Sequence, residues 1–182
     1  AACGLYRTCQ TPKMVPDGRG KKKILIVAEA PGETEDAMGV PLVGRTGKHL
    51  ERILDELEVD MRRDCLLINS IICHPVGNRT PTVREIGYCR PNLDKTIREF
   101  KPEVIILLGK PAVVSLIGRL WKEDIGTISR WVGWNIPSQE LNAYVCPTFH
   151  PSYCLRMDDP IINRVFKDHL QAAVTKQGRP WE

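Results

Sequence analysis

Long apolar runs are missing from this chain: none approaches the roughly 20 residues that a membrane-spanning helix needs, and the amino-terminal segment has no signal-peptide core. A soluble, intracellular protein with no membrane association is the expectation. No GxGxxG follows a strand-like run, which argues against a dinucleotide site, and Gly44-Arg45-Thr46-Gly47-Lys48 lacks the glycine spacing and the Lys-Ser/Thr pair of a P-loop. Paired CxxC knuckles are absent as well. Neither internal repeats nor low-complexity tracts interrupt the sequence.

What is present suits one globular domain. The 182 residues are 42% hydrophobic and 26% charged, enough to bury a sizeable core. A net charge of +4 and a pI near 8.7 permit a nucleic-acid partner without requiring one. Residues 1 to 23 are rich in Cys, Pro, Gly and Lys, with no periodicity of either kind, and form a leader that needs something besides a core to order it.

Ile24 to Ala28 is a continuous apolar run, as expected of a strand buried on both faces, and it ends at Glu29, followed by Ala30, Pro31 and Gly32. A loop through Pro41 leads to an amphipathic helix starting near Gly44 to Gly47, in which Leu50, Ile53, Leu54 and Leu57 recur at helical spacing. Cys65 to Ile72 reads as a second strand and Val83 to Phe100 as a helix kinked or broken at Pro91. Val104 to Gly109 is a third strand, with Pro111 opening the next helix. Trp121 to Asn142 reads as an inserted hairpin or loop excursion. Ala143 to Phe149 is the fourth strand, HPSYCLR a loop, and Pro160 to Val174 a final amphipathic helix. Alternating strands and helices predict a three-layer α/β/α sandwich around a four-stranded parallel sheet, with 24–176 as its core.

Three strands run into polar residues at their carboxyl ends: Glu29, Asn69 and His150. In a parallel sheet those ends share one edge, where ligands bind, so a carboxylate, an amide and an imidazole converge on one pocket. Singly, each is equally at home as an ordinary loop, strand or turn residue; their convergence is what points to a site. The loop Gly77 to Thr82 offers backbone donors and Arg79 just before a helix, which suits a phosphate, as Arg45 and Lys48 do before the preceding one.

An odd count of seven cysteines cannot all pair as disulfides. Cys65 and Cys146 fall in apolar strands, and Cys154 follows the last one, so all three read as core residues. Cys3, Cys9, Cys73 and Cys89 lie in Gly-, Pro- and Arg-rich surroundings and are the candidate ligands. Their spacing leaves an iron-sulfur cluster and a zinc ion both open.

Five ordered segments, AEAPGETED at 28 to 36, GVPLVGRTGKHL at 39 to 50, INSIICHPVGNRTPT at 68 to 82, CRPNL at 89 to 93 and FHPSYCLR at 149 to 156, resemble the iron-sulfur (family 4) uracil-DNA glycosylases over nearly the whole chain. The resemblance implies a 4Fe-4S cluster on four cysteines and excision of a flipped uracil from single- or double-stranded DNA by a monomeric enzyme. It implies that Glu29 orients or activates water, that Asn69 reads the pyrimidine and that His150 stabilises the departing base. Ala30, Pro31, Gly32, Glu35 and Leu42 would shape the base pocket. Arg45, Lys48, Asn78, Arg79, Ser152, Tyr153, Leu155 and Arg156 would meet DNA. A cytoplasmic, nucleoid-associated location follows from that partner. Two departures stand out. Leu42 replaces the phenylalanine that stacks on the base in the family, which keeps a glycosylase for another damaged or modified base in play; a catalytically weak iron-sulfur DNA-binding module of a replication or repair assembly is a further alternative. The family's CxxC is also replaced by Cys3 and Cys9, so the fourth ligand is either Cys9 or a residue preceding Ala1.

Overall fold

A computed structural model describes residues 3–121 and 124–181. In chain order the elements are β1 (Ile24–Ala28), α1 (Glu33–Met38), α2 (Arg45–Asp55), α3 (Met61–Asp64), β2 (Cys65–Asn69), α4 (Val83–Phe100), β3 (Val104–Leu108), α5 (Gly109–Trp121), β4 (Ile136–Ser138), β5 (Ala143–Thr148), α6 (Pro151–Met157) and α7 (Pro160–Val174). The sheet runs β2-β1-β3-β5-β4. Four strands are parallel, and the short β4 pairs antiparallel with β5 at one edge, adding a fifth strand to the four legible in the sequence.

Alternate residues of each central strand feed opposite layers, as the period of 2 demands. Leu25 and Val27 join Ile105 and Leu107 beneath α4 and α5, where Ile86, Leu93, Leu116 and Ile117 close one core. Ile24 and Ile26 face the other way with Ile106 and Leu108, against Leu50 and Leu54 of α2 and Phe166 and Leu170 of α7. The amphipathic stripes of α2 and α7 are thereby buried. Cys65, Cys146 and Cys154 belong to this second core, and burial pushes their thiols up to about 12, 12 and 11. They are packing residues with no thiolate character.

Several local expectations are corrected. Pro91 does not break α4, which continues through it. Both Pro91 and Gly87, whose carbonyl the proline leaves without an intrahelical donor, are exposed, so water can satisfy that oxygen. The segment after His150 is a helix rather than a loop: His150 caps α6 by accepting the Ser152 N–H, Pro151 takes the first-turn position where its missing N–H costs nothing, and Asp158 ends it in a left-handed conformation. The loop before Pro41 contains α1, capped by Glu35. Within Trp121 to Asn142, the described part comprises a 3-10 turn at Ile128–Arg130 and β4.

The leader is tied down by far more than cysteines. Asp17 and Leu67 exchange backbone hydrogen bonds of 3.0 and 2.7 Å, and Arg19, Gly20, Lys21 and Lys22 donate to carbonyls of residues 62 to 65. It covers the otherwise open edge of β2, satisfying backbone groups that an edge strand leaves exposed. Its own Leu5 and Met14 are buried.

Candidate active site

The parallel register pairs Ala28 with Asn69 and Leu108 with Thr148, so the carboxyl ends of β1, β2, β3 and β5 are level. Glu29 is the first residue beyond β1, Asn69 the last of β2, and His150 lies two residues beyond β5. All three line one cavity of about 390 Å³, a size typical of small-molecule sites. Ala30, Gly32, Glu35 and Leu42 line it too, as do Arg45, Asn78, Arg79 and Ser152. Pro31 is buried and does not line the cavity; Lys48, Tyr153, Leu155 and Arg156 lie outside it.

Each of the three polar groups has a definable state. Burial raises the Glu29 carboxyl above its ordinary range, opposed by a hydrogen bond from the Thr80 side chain. Asn69 is buried and lines the cavity, and among the described residues its amide donates a long contact, 3.9 Å, to the Met14 sulfur. His150 Nδ1 accepts the backbone N–H of Ser152 at 3.3 Å and lies 2.7 Å from its hydroxyl. Burial, and then the nearby Arg156 guanidinium, lower its pKa to about 4. A neutral ring whose Nδ1 is an acceptor carries its proton on Nε2. The close seat of His150 depends on Gly109, where φ is +81° and an added Cβ would lie 2.9 Å from that of His150.

Glu35 acts as a clasp. Its Oε2 accepts from Gly32 N at 3.1 Å, and its Oε1 accepts from Val43 N and Gly44 N at 3.0 and 2.7 Å, joining the two loops that wall the cavity. Leu42 is held between them in a left-handed conformation, φ +55°, by Arg62, which donates to the carbonyls of Pro41 and Leu42 at 2.9 and 2.8 Å. Gly47 is required beneath it, because a Cβ there would lie 2.0 Å from the Leu42 carbonyl oxygen. Arg79 is committed to Glu85 through a bidentate pair at 2.9 and 2.6 Å, which holds the Glu85 carboxyl at about 2. Arg45 and Lys48 are exposed on the first turn of α2, and Arg156 stacks over Tyr153 at 5.8 Å. Thr80, Gly109 and Met14 escaped the sequence reading. Thr80 stands in a loop and Gly109 at the start of α5, both at recognisable positions, but nothing local marks Met14.

The four candidate ligands come from the leader, the loop after β2 and α4, and they gather on one side. Cys3 and Cys9 pack against the core containing Cys73 and Cys89. Burial raises the Cys73 thiol, and the nearby Cys89 and Cys3 add to this; Cys89 is raised likewise by burial and by Cys3. Cys9 shares a thiol-thiol hydrogen bond with Cys73, and its thiol is raised by burial and by Cys73. Lys13 N donates to Cys73 Sγ at 3.4 Å. Among the described residues no three His, Cys, Asp or Glu side chains are close enough to share a single metal ion. A tetrahedral zinc would need its sulfurs within about 4 Å of one another, given Zn–S bonds of about 2.3 Å.

A family model, the uracil DNA glycosylase superfamily, matches residues 15–174 of the chain. The chain belongs to the uracil-DNA glycosylase superfamily. A type-4 uracil-DNA glycosylase of Saccharolobus solfataricus is 35% identical over 176 residues, covering 91% of this chain and 80% of that protein. Another type-4 uracil-DNA glycosylase, from Thermotoga maritima, is 34% identical over 184 residues, covering 97% and 90% respectively. The one from Sulfurisphaera tokodaii is 32% identical over 177 residues. The central sheet flanked by helices agrees with that superfamily's α/β fold, and no helix of the described residues is long and apolar enough to cross a membrane.

Proposed function

We propose that this superfamily member hydrolyses the N-glycosidic bond of a uracil flipped out of DNA, leaving an abasic site. The observation that carries the reading is the shared cavity of Glu29, Asn69 and His150. Cleavage builds positive charge on the sugar and negative charge on the leaving base, so groups that stabilise each strengthen in the transition state. Glu29, half-buried beside the cavity, holds and deprotonates water that adds to the sugar carbon. The Asn69 side chain donates to a base carbonyl and accepts from the ring N–H, a pattern that uracil offers and cytosine does not. His150, neutral, donates from Nε2 to the base oxygen on which charge collects. As a neutral group it stabilises that anion through the Nε2–H hydrogen bond alone, with no full positive charge. No lysine Schiff base is involved, and the reaction is monofunctional.

Arg45, Lys48 and Arg156, exposed around the mouth, would meet DNA phosphates, with Tyr153 and Leu155 of α6 beside the space left by the flipped base. Cys3, Cys73 and Cys89, each near the other two, would hold three corners of a 4Fe-4S cluster, with Cys9 beside Cys73. Their mutual proximity, and the type-4 glycosylases the chain resembles, support that assignment. The cluster would supply a structural cross-link from leader to α4. Leu42 favours a second reading, in which the preferred base is not uracil.

An oligonucleotide panel carrying uracil, hypoxanthine, thymine mispairs and modified cytosines tests these readings. Release of uracil that is lost in Asn69→Ala supports the first. Release of a different base supports the second, and DNA binding with no released base refutes both.

A further inference from the structure

Beyond the cavity, a line of polar contacts connects the leader to its rim. Asp36 is 3% exposed on α1, and it accepts from two leader amides, Gln10 N at 2.8 Å and Thr11 N at 2.9 Å. The Thr11 hydroxyl donates to the Asp36 carbonyl at 2.6 Å. On its other side, Asp36 Oδ2 lies 3.5 Å from Nδ1 of His74, which is 9% exposed. His74 Nε2 then meets Asn78 Oδ1 at 2.9 Å, and Asn78 lines the cavity. Asn78 is no free loop residue: its Oδ1 would lie 3.7 Å from a Cβ built on Gly32, so the glycine turn after Glu29 and the loop after β2 meet there.

None of these contacts is needed to close a core. Both His74 and Asp36 are polar, buried and adjacent to residues that a fold could fill with aliphatic side chains at lower desolvation cost. Their geometry instead joins two separate places, the cysteine-bearing leader and the pocket wall. A second contact from the same leader runs in parallel, since Met14, 3% exposed, sits against the Asn69 amide.

We infer that Asp36 and His74 are positioning residues through which the leader, once fixed by its cysteines, holds Asn78 and the pocket rim in place for base excision. The inference rests on the cavity being the base pocket. A misplacement of a pocket wall by about 1 Å is enough to slow a reaction many-fold. The leader thus has a task at the pocket besides carrying ligands.

His74→Leu, His74→Gln and Asp36→Asn in the cluster-loaded protein test it, with iron per chain, kcat and KM on a uracil oligonucleotide, and amide hydrogen exchange as readouts. His74→Leu should keep wild-type iron, lower kcat/KM roughly tenfold and speed exchange at residues 76–79 while leaving Gln10 and Thr11 protected. Asp36→Asn should speed exchange at Gln10 and Thr11 as well. His74→Gln, which can still reach Asn78, should recover part of the loss. The double variant His74→Leu/Asn78→Ala should be no slower than Asn78→Ala alone, because His74 acts through Asn78. Wild-type kinetics in His74→Leu at full iron, or losses that multiply in the double variant, overturn the inference. If His74→Leu fails to load iron, His74→Gln carries the same comparison with Asn78→Ala. A wild-type protein that releases no uracil would instead remove the base-pocket reading beneath it.

Discussion

His150 and Ser152 form a closed local unit: the backbone N–H of Ser152 caps onto Nδ1, and the hydroxyl of the same residue lies 2.7 Å from that nitrogen. The imidazole is thereby turned so that only Nε2 can donate toward the cavity. His150→Ala is expected to lower kcat by about 10²- to 10³-fold, as loss of an oxyanion donor does elsewhere. Ser152→Ala should cost less, since the backbone donor remains. Single-turnover excision checks both.

The same histidine gives a signed pH dependence of stability. The unfolded imidazole takes up a proton near its ordinary pKa of 6.5, the folded one only near 4, so the unfolded state binds more protons between those values. Stability contributed by this site is therefore complete above about 6.5, falls as pH drops through that window and levels off below about 4. Denaturant titrations of wild type and His150→Gln across the window should diverge only there.

The Thr80 contact restrains the burial-driven rise of the Glu29 pKa. Removing the hydroxyl in Thr80→Val should move the acidic limb of the kcat/KM profile to higher pH. An unmoved limb would assign that limb to another group.

Arg79 and Arg156 separate fold from DNA contact. Because Arg79 is held by Glu85 in the capping box of α4, Arg79→Ala should lower the melting temperature and leave the salt dependence of DNA binding intact. Arg156→Ala should do the reverse, reducing the slope of log K against log salt by about 1. Fluorescence anisotropy over a salt series distinguishes them.

Iron content should fall sharply in Cys3→Ser, Cys73→Ser and Cys89→Ser, and stay at the wild-type level in Cys65→Ala and Cys146→Ala. Cys9 sits beside Cys73 and the backbone of His74 rather than between Cys3 and Cys89, so Cys9→Ser should retain more iron than any of the first three. Equal loss would make it a full fourth corner.

Leu42→Phe places an aromatic face on the cavity lining. Base stacking is worth about 1–3 kcal/mol, so KM for uracil DNA should fall by roughly tenfold or more if uracil is the base bound there. No change, or a gain only for a different base, would favour the second reading.

Periodicity alone determined the layers of this protein. The five-residue apolar runs of β1 and β3 and the stripe of α2 state burial on two faces and on one, since side-chain direction follows directly from backbone period. The same runs put Glu29, Asn69 and His150 at one sheet edge, and the surroundings of the cysteines separated four candidate ligands from three core thiols. Tertiary structure decided what those side chains touch. Glu35 is a clasp between loops, Arg79 is taken up by Glu85, the residues after His150 coil into α6 under a histidine cap, Met14 reaches Asn69 from the leader, and Asp36 of α1 holds the leader amides. Such contacts join residues about 10 to 60 apart, or hinge on which of several available donors gets there first. No local pattern encodes that choice, because it depends on how separate elements are placed against one another by the packed sheet.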